Sequence, residues 1–329
     1  MCTCRLSLFV LAMAPSFWAQ EAAHRIDEKE DRLTLLAGPS TLAVYRFGED
    51  LGKPVFQPVT GPSGAPVTRN WPLGEPAEGE ARDHVHHKGL WYSHGDVNGV
   101  DFWGENENHG SIRHLRFTTK AANQDGTFVI ASDNAWTDAA GKTLMTDARR
   151  VVFRPLEHGE TMIDFSVTLF ASHGKVTLGD TKEGTMAFRL APTLRLKGDV
   201  ATGRILNSEG VEGKGTWGKR AAWCDYQGKD ANGKVVGVLM LDHPGNPRHP
   251  TWWHVRDYGL FAANPFGQRY FESLKDKTAG NLELADGEGA AFHYRFYLHR
   301  EIDSAEALQA RFSNFSKQTA PKLEKPADQ

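Results

Sequence analysis

Thr161-Met-Ile-Asp-Phe-Ser-Val-Thr-Leu-Phe170 is the stretch on which the fold turns. Ile163, Phe165, Val167 and Leu169 fall on one face of an extended chain, and Asp164, Ser166 and Thr168 on the other. Alternation of period two marks a strand with one face on a core, as in an antiparallel sheet. Ala291-Phe-His-Tyr-Arg-Phe-Tyr-Leu-His299 repeats the pattern, with Phe292, Tyr294, Phe296 and Leu298 on one face. Working outward, Leu33 and Leu35, then Leu42 and Val44, alternate in the same way. Gly38-Pro39 and Gly48-Glu49-Asp50 break these runs as turns. Val55 to Val59 reads as an edge strand at best, because Pro58 lacks a ladder N–H. Val67 to Trp71, Ile112 to Thr118 and Thr127 to Ser132 are further strands, and Val235 to Leu241 is a continuous buried one. A single helix follows, capped by Asp303 or Ser304, with Leu308, Phe312 and Phe315 on one face.

The expected fold is therefore all-β: a large antiparallel two-sheet β-sandwich with one C-terminal helix. No fixed-period repeat and no linker divides the chain, so residues 27–316 read as one domain, followed by a flexible polar tail over 317–329. With 329 residues, 40% of them hydrophobic, a sizeable core is within reach. The formal net charge is −3 and both signs are interspersed, which excludes the clustered basic face of a nucleic-acid binder.

Residues 1–22 read as a secretory signal peptide: a basic start at Arg5, an apolar run Leu6 to Ala14, and small residues near Ala19 and Ala22. The run is shorter than the roughly 20 residues that cross a bilayer, so no membrane insertion is expected. A periplasmic or secreted location follows. Cys2 and Cys4 belong to the signal, which leaves Cys224 alone and no intramolecular disulfide in the mature chain.

Chemistry gathers in three clusters. The first runs from Asp83 to Glu105 and holds His84, His86, His87, His94, Asp96, Asn98, Trp91 and Trp103. On a strand, His84 and His86 would face one way and His87 the other. Such an H-x-H pair can present two imidazoles to a divalent metal, and it equally suits acid/base work, which needs one imidazole and a carboxylate partner. Indole rings offer flat faces to sugars. The second cluster is Gly179-Asp180-Thr181-Lys182-Glu183-Gly184, followed by Arg189, with Glu183 the better acid/base candidate. The third, Asp242 to Asn264, holds Arg248, Trp253, His254 and Arg256. The planar fork of an arginine suits a carboxylate or vicinal hydroxyls. Gly213 to Arg220 approaches a phosphate-binding loop but lacks its Ser/Thr, and Asn314-Phe-Ser316 is a sequon by letter only.

Read together, these segments resemble a known family. His84-x-His-His-x-Gly-Leu-Trp91, Gly95-Asp-Val-Asn-Gly-Val-Asp-Phe-Trp103, Gly203-Arg-Ile-Leu-Asn-Ser-Glu-Gly210, Trp217-Gly-Lys-Arg220, Asp242-His-Pro-x-Asn-Pro-Arg-His-Pro250 and Trp253 to Gly267 are similar to the PmoA-like family of predicted secreted bacterial proteins. That family has no assigned function, and its label comes from a membrane-embedded methane-oxygenase subunit, whereas this chain has no spanning run. The strand-rich layout is similar to the galactose-mutarotase-like supersandwich. The resemblance to that fold implies carbohydrate metabolism, with His and Glu/Asp as acid and base.

The expectation is a carbohydrate-active protein carrying out epimerisation, elimination or hydrolysis on a saccharide or sugar derivative. His86, His94 and His254 are the candidate acid/bases, and Asp96, Glu183 and Asp242 their carboxylate partners. Asn98, Arg189, Arg248 and Arg256 would hold hydroxyls or a carboxylate, and Trp91, Trp103 and Trp253 would form the ring platform. No cofactor is called for. The alternatives are a non-catalytic carbohydrate-binding protein and a metal-dependent enzyme using His84 and His86.

Overall fold

The computed structural model describes residues 24–301 and 303–327. The expected signal segment, with Cys2 and Cys4, lies outside the described residues. The strands run in chain order as β1 Arg25–Lys29, β2 Arg32–Ala37, β3 Ser40–Arg46, β4 Val55–Val59, β5 Leu90–His94, β6 Ser111–Ala122, β7 Phe128–Thr137, β8 Thr143–Pro155 and β9 Thr161–Phe170. They continue as β10 Val176–Leu178, β11 Gly184–Arg189, β12 Arg204–Asn207, β13 Trp223–Lys229, β14 Val235–Asp242, β15 Trp252–Val255, β16 Leu260–Asn264, β17 Leu282–Leu284 and β18 Gly289–His299. Two α-helices are present among the described residues, the single turn α1 Gln268–Phe271 and α2 Ala305–Phe315.

Sixteen of these strands form two eight-stranded antiparallel sheets, and β10 and β17 pair as a separate two-stranded antiparallel sheet. The first has the order β1-β2-β3-β4-β5-β11-β16-β15, and the second β12-β13-β14-β18-β9-β8-β7-β6. The architecture is an all-β sandwich. Leu33 and Leu35 of the first sheet and Ile163, Phe165, Val167, Phe292, Tyr294 and Phe296 of the second share one apolar cluster between the layers. The alternation in β9 and β18 is what turns these side chains inward. No helix among the described residues is long and apolar enough to cross a membrane.

Three departures from the sequence reading have physical causes. Strand β9 is buried on both faces, because Asp164 accepts from Arg295 Nε (2.5 Å) and Ser166 meets His293 Nδ1 (2.6 Å) beneath the end of α2. Strand β4 is internal, not an edge: its pairing with β5 involves only Val55 and Phe56, so Pro58 lies beyond the shared ladder. In β3, Ala43 and Tyr45 enter the core while Leu42 packs at its margin, next to a register irregularity opposite β4.

Helix α2 begins at Ser304, whose side chain accepts from Ala307 N. It sets Leu308 and Phe315 on Leu206, Trp223, Leu239 and Leu241, on the side of the second sheet away from the central core. The tail beyond it is docked: His243 Nε2 donates to Gln318 O (2.8 Å), and Pro326 is buried.

Candidate active site

The site grows from one row of the first sheet. Trp91 of β5 pairs with Ala187 of β11, Ala187 with Ala262 of β16, and Ala262 with His254 of β15. These four project to the face opposite the central core, since their neighbours Tyr92, Met186, Phe188, Ala263 and Trp253 belong to it. Two alanines between a tryptophan and a histidine leave a depression. Trp103, Leu260 and Val55 complete a second apolar patch around Trp91.

Loops wall this depression into a cavity of about 390 Å3. It is lined by His84, His86, His87, Asp101, Trp103, Gly104, Asn106, Lys182, Glu183, His254, Arg256 and Tyr258. The histidines come from the chain just before β5. His84, His86 and His87 lie in a turn, not on a strand, so all three reach the same cavity despite their odd and even spacing. Their rings pack together: His84 stacks on His87 (4.9 Å between centroids) and on Tyr258 (5.0 Å), and His86 meets His87 edge-on (4.3 Å). Gly89 lets this turn enter β5. Its φ is +59°, and a Cβ there would stand 2.1 Å from Phe56 O.

Buried cations hold the walls. Arg69 Nη1 donates to Asp83 O (2.7 Å) and Oδ1 (3.0 Å), and its Nη2 to His84 O and His87 O (both 2.8 Å). Arg189 Nη2 donates to Asp83 Oδ1 (2.7 Å), and its Nη1 to His87 Nδ1 (3.1 Å). On the other side, Lys53 Nζ donates to Trp103 O (3.0 Å) and Glu105 (3.2 Å), while Lys88 donates to the other Glu105 oxygen (2.6 Å). Burial pulls Lys53 down to about 8 and Arg69 down to about 9, against the pull of their carboxylates.

Burial also governs the imidazoles. His86 and His254 are each drawn down to about 4, and His87 well below its ordinary value, chiefly because a charged ring would lose its solvent. Nearby Glu183 opposes the shift at both His86 and His254. At neutral pH these rings are uncharged. The tautomer of His254 is set by its neighbour: Lys182 O can only accept, so Nδ1 carries the hydrogen (2.6 Å) and Nε2 keeps its lone pair. His84 has the matching arrangement, with Nδ1 2.9 Å from Asp83 Oδ2.

The matching family is described as a family of unknown function, DUF6807, and the match spans residues 32–313. The chain belongs to the DUF6807 family. No curated protein matches it in sequence. The family's span contains every wall of the cavity, from Lys53 to Tyr258.

Among the expected site residues of this DUF6807 protein, His86, Trp103, Glu183, His254 and Arg256 line the cavity, as does His84. Trp91 and Arg189 form the layer directly beneath: Trp91 stacks on His87 (5.6 Å), and Arg189 lies under the Tyr258 ring (4.8 Å). The remaining candidates do not join them. His94 faces the central core, where Nε2 donates to Gly179 O (2.9 Å) and the ring packs on Phe266. Asp96 and Asn98 shape a turn, Asp96 accepting from Gly99 N and Asn98 bonding Thr177 N and Lys175 O. Asp242 is buried against Asn246, His249 and Thr251 N. Arg248 ties down backbone carbonyls of Pro265, Gly280 and Asn281. Trp253 lies in the core with Nε1 on Ala221 O (2.9 Å).

The expected site residues left out Asp83, His87, Asp101, Asn106, Lys182 and Tyr258, although all but Asn106 fall inside the three clusters. Tyr258 lies in the turn between β15 and β16, where no strand period marks it. Arg69 carried no signal: nothing in Thr68-Arg-Asn-Trp71 announces a guanidinium that collects carbonyls from 12 to 18 residues later. As to metal, the rings of His84 and His86 are 5.8 Å apart, and no group of three His, Cys, Asp or Glu among the described residues is disposed to hold an ion. Cys224 is buried in the core, and burial pushes its thiol well above the ordinary range.

Proposed function

We propose that this cavity binds a saccharide or sugar derivative and moves a proton on it, in a secreted or periplasmic protein. The observation that carries the reading is His254: a neutral imidazole with Nδ1–H anchored on Lys182 O and an unshared pair at Nε2, in a cavity that also holds Glu183 and the Asp83–His84 pair. A general base needs a fixed tautomer, and an imidazole kept neutral by burial is ready at ordinary pH. The Tyr258 ring and the Trp103 edge supply apolar contact for a sugar ring, while Asn106 and Arg256 supply polar contact. A cavity of this size is in the range used for small ligands. Glu183 and His84 are the partners that return or accept the proton.

The test is proton exchange. A panel of sugars and sugar derivatives is incubated with the protein in D2O and followed by 1H NMR for loss of a carbon-bound proton or for product. The wild type is expected to exchange or convert at least one member, and His254→Gln to lose about a hundredfold or more of that rate. Binding without exchange or turnover of any member would sink the catalytic reading in favour of a carbohydrate-binding protein.

A further inference from the structure

The charges around the cavity are unequal. Counting the lining and the layer beneath it, the six cations Lys53, Lys88, Arg69, Arg189, Lys182 and Arg256 face Asp83, Glu105, Glu183 and Asp101, with Glu80 a further carboxylate near Arg69. Glu105 alone serves two ammonium groups, which leaves an excess positive charge there, and Asp83 is shared by two guanidinium groups, of which Arg69 also has Glu80 nearby. Lys182 is paired with Glu183. Asp101 lines the cavity too, but two backbone N–H groups, of Trp103 (2.8 Å) and Gly104 (3.0 Å), already occupy its Oδ1. Arg256 has no carboxylate partner and lies over the Tyr258 ring (5.6 Å).

The neutral groups of the floor point the same way. His87 Nε2, Trp91 Nε1, Trp103 Nε1, Arg69 Nε and Arg189 Nε are buried without an acceptor. His87 Nε2 is a donor because its Nδ1 faces a guanidinium, which has only hydrogens to offer. A buried donor without an acceptor is costly, and these five, on residues that line the cavity or touch its lining, make its floor electropositive. Fixed dipoles and charges of one sign in a dry site are what stabilise the opposite charge on a ligand.

We propose that the ligand of this cavity is a sugar acid, its carboxylate held by Arg256 above the electropositive floor. The proposal rests on the saccharide reading above and names the substrate class. It also supplies the proton. In a uronate, the C–H beside the carboxylate is the acidic one. His254 Nε2 takes that proton, and the electron pair of the broken C–H bond moves into the carboxylate as an enediolate, whose added charge the floor offsets. Return of a solvent-exchanged proton by the imidazolium to the same face gives exchange, and delivery of a proton to the opposite face by a second group, Glu183 or His84, gives epimerisation. Alternatively, the C–O bond one carbon further breaks as a C=C bond forms, and the departing oxygen takes the proton from His254, giving elimination.

Calorimetric titration separates this inference from the reading beneath it. The probes are D-glucuronate, D-galacturonate, the methyl ester of D-glucuronate, D-glucose, and acetate. At least one uronate is expected to bind about tenfold or more tightly than the ester and glucose. Arg256→Gln should lose about tenfold in uronate affinity, and Asp101→Asn, which removes an opposing charge, should gain severalfold. Should Arg256→Gln fail to fold, the gain in Asp101→Asn carries the test. Equal binding of uronate, ester and glucose overturns the carboxylate while leaving the saccharide reading standing. Binding of acetate as tightly as the uronates keeps the anion site but sinks the sugar. No binding of any acid overturns the proposal.

Discussion

His254 takes its expected role from a single carbonyl. Lys182 O fixes the hydrogen on Nδ1, and burial holds the ring down at about 4, so the base is armed well below the pH at which a free histidine would be. His86 is shifted to the same value by the same cause. If either ring is the base, protonation inactivates it only as pH falls through about 4. The acid limb of kcat/KM for whichever substrate the exchange experiment yields should therefore lie near pH 4, and a limb near 6.5 would point to a solvated histidine instead. At this scale the sequence was a partial guide. Asp242 and Arg248 carry the same chemistry as Glu183 and Arg256, yet their polar atoms are spent on neighbouring backbone and side chains, and His94, which carries that of His86, is turned into the central core with Nε2 on Gly179 O. Letters alone do not separate a buried polar group satisfied at home from one left facing a cavity.

Among elements, the loop from Asp101 to Asn106 depends on Glu105. Its carboxylate joins Lys53 from before β4 and Lys88 from before β5, and so holds Trp103 over Trp91. Replacing Glu105 by Gln leaves two buried ammonium groups without a counter-charge. Breaking such a pair ordinarily costs about 3–5 kcal/mol. Lys53, already down to about 8, escapes part of this by losing its proton, so a loss of about 2–3 kcal/mol is expected in urea unfolding at pH 7. A change within about 0.5 kcal/mol would mean that the bridge is idle. On the opposite sheet, Leu308→Ala in α2 empties a fully buried site against Trp223 and Leu241 and should cost about 2–4 kcal/mol by the same measurement. Strands β9 and β18 and helix α2 were legible because period two and period 3.6 are local signals. The internal position of β4 was not, since where a proline falls along a shared ladder is decided by the neighbouring strand. Nor was the meeting of His84, His86 and His87, because a turn obeys neither period.

For the whole molecule, histidine burial sets the response to acid. His86, His114, His254 and His293 are each lowered to about 4 and His94 to about 3, with His87 well below its ordinary value; in every case desolvation is the first cause. A group whose folded pKa is depressed binds its proton more readily when unfolded. Between about pH 6.5 and 4 the unfolded chain therefore holds more protons than the folded one, and stability must fall as pH falls through that window. His299 runs the other way. Asp225 raises it, so its contribution is full below the unfolded value and fades as pH rises through the raised one. One such group does not offset six. Urea unfolding at pH 7.5, 6, 5 and 4.5 should show a flat upper plateau and then a steepening loss, with several protons taken up on unfolding below pH 6. The carboxylates lowered by their cations, Asp83, Glu105 and Asp164, add to the loss only at still lower pH, because their shifts lie beneath the ordinary carboxylate range. Stability that held constant or rose from pH 6.5 to 4.5 would mean that these imidazoles are solvated, and the neutral base at His254 would go with them.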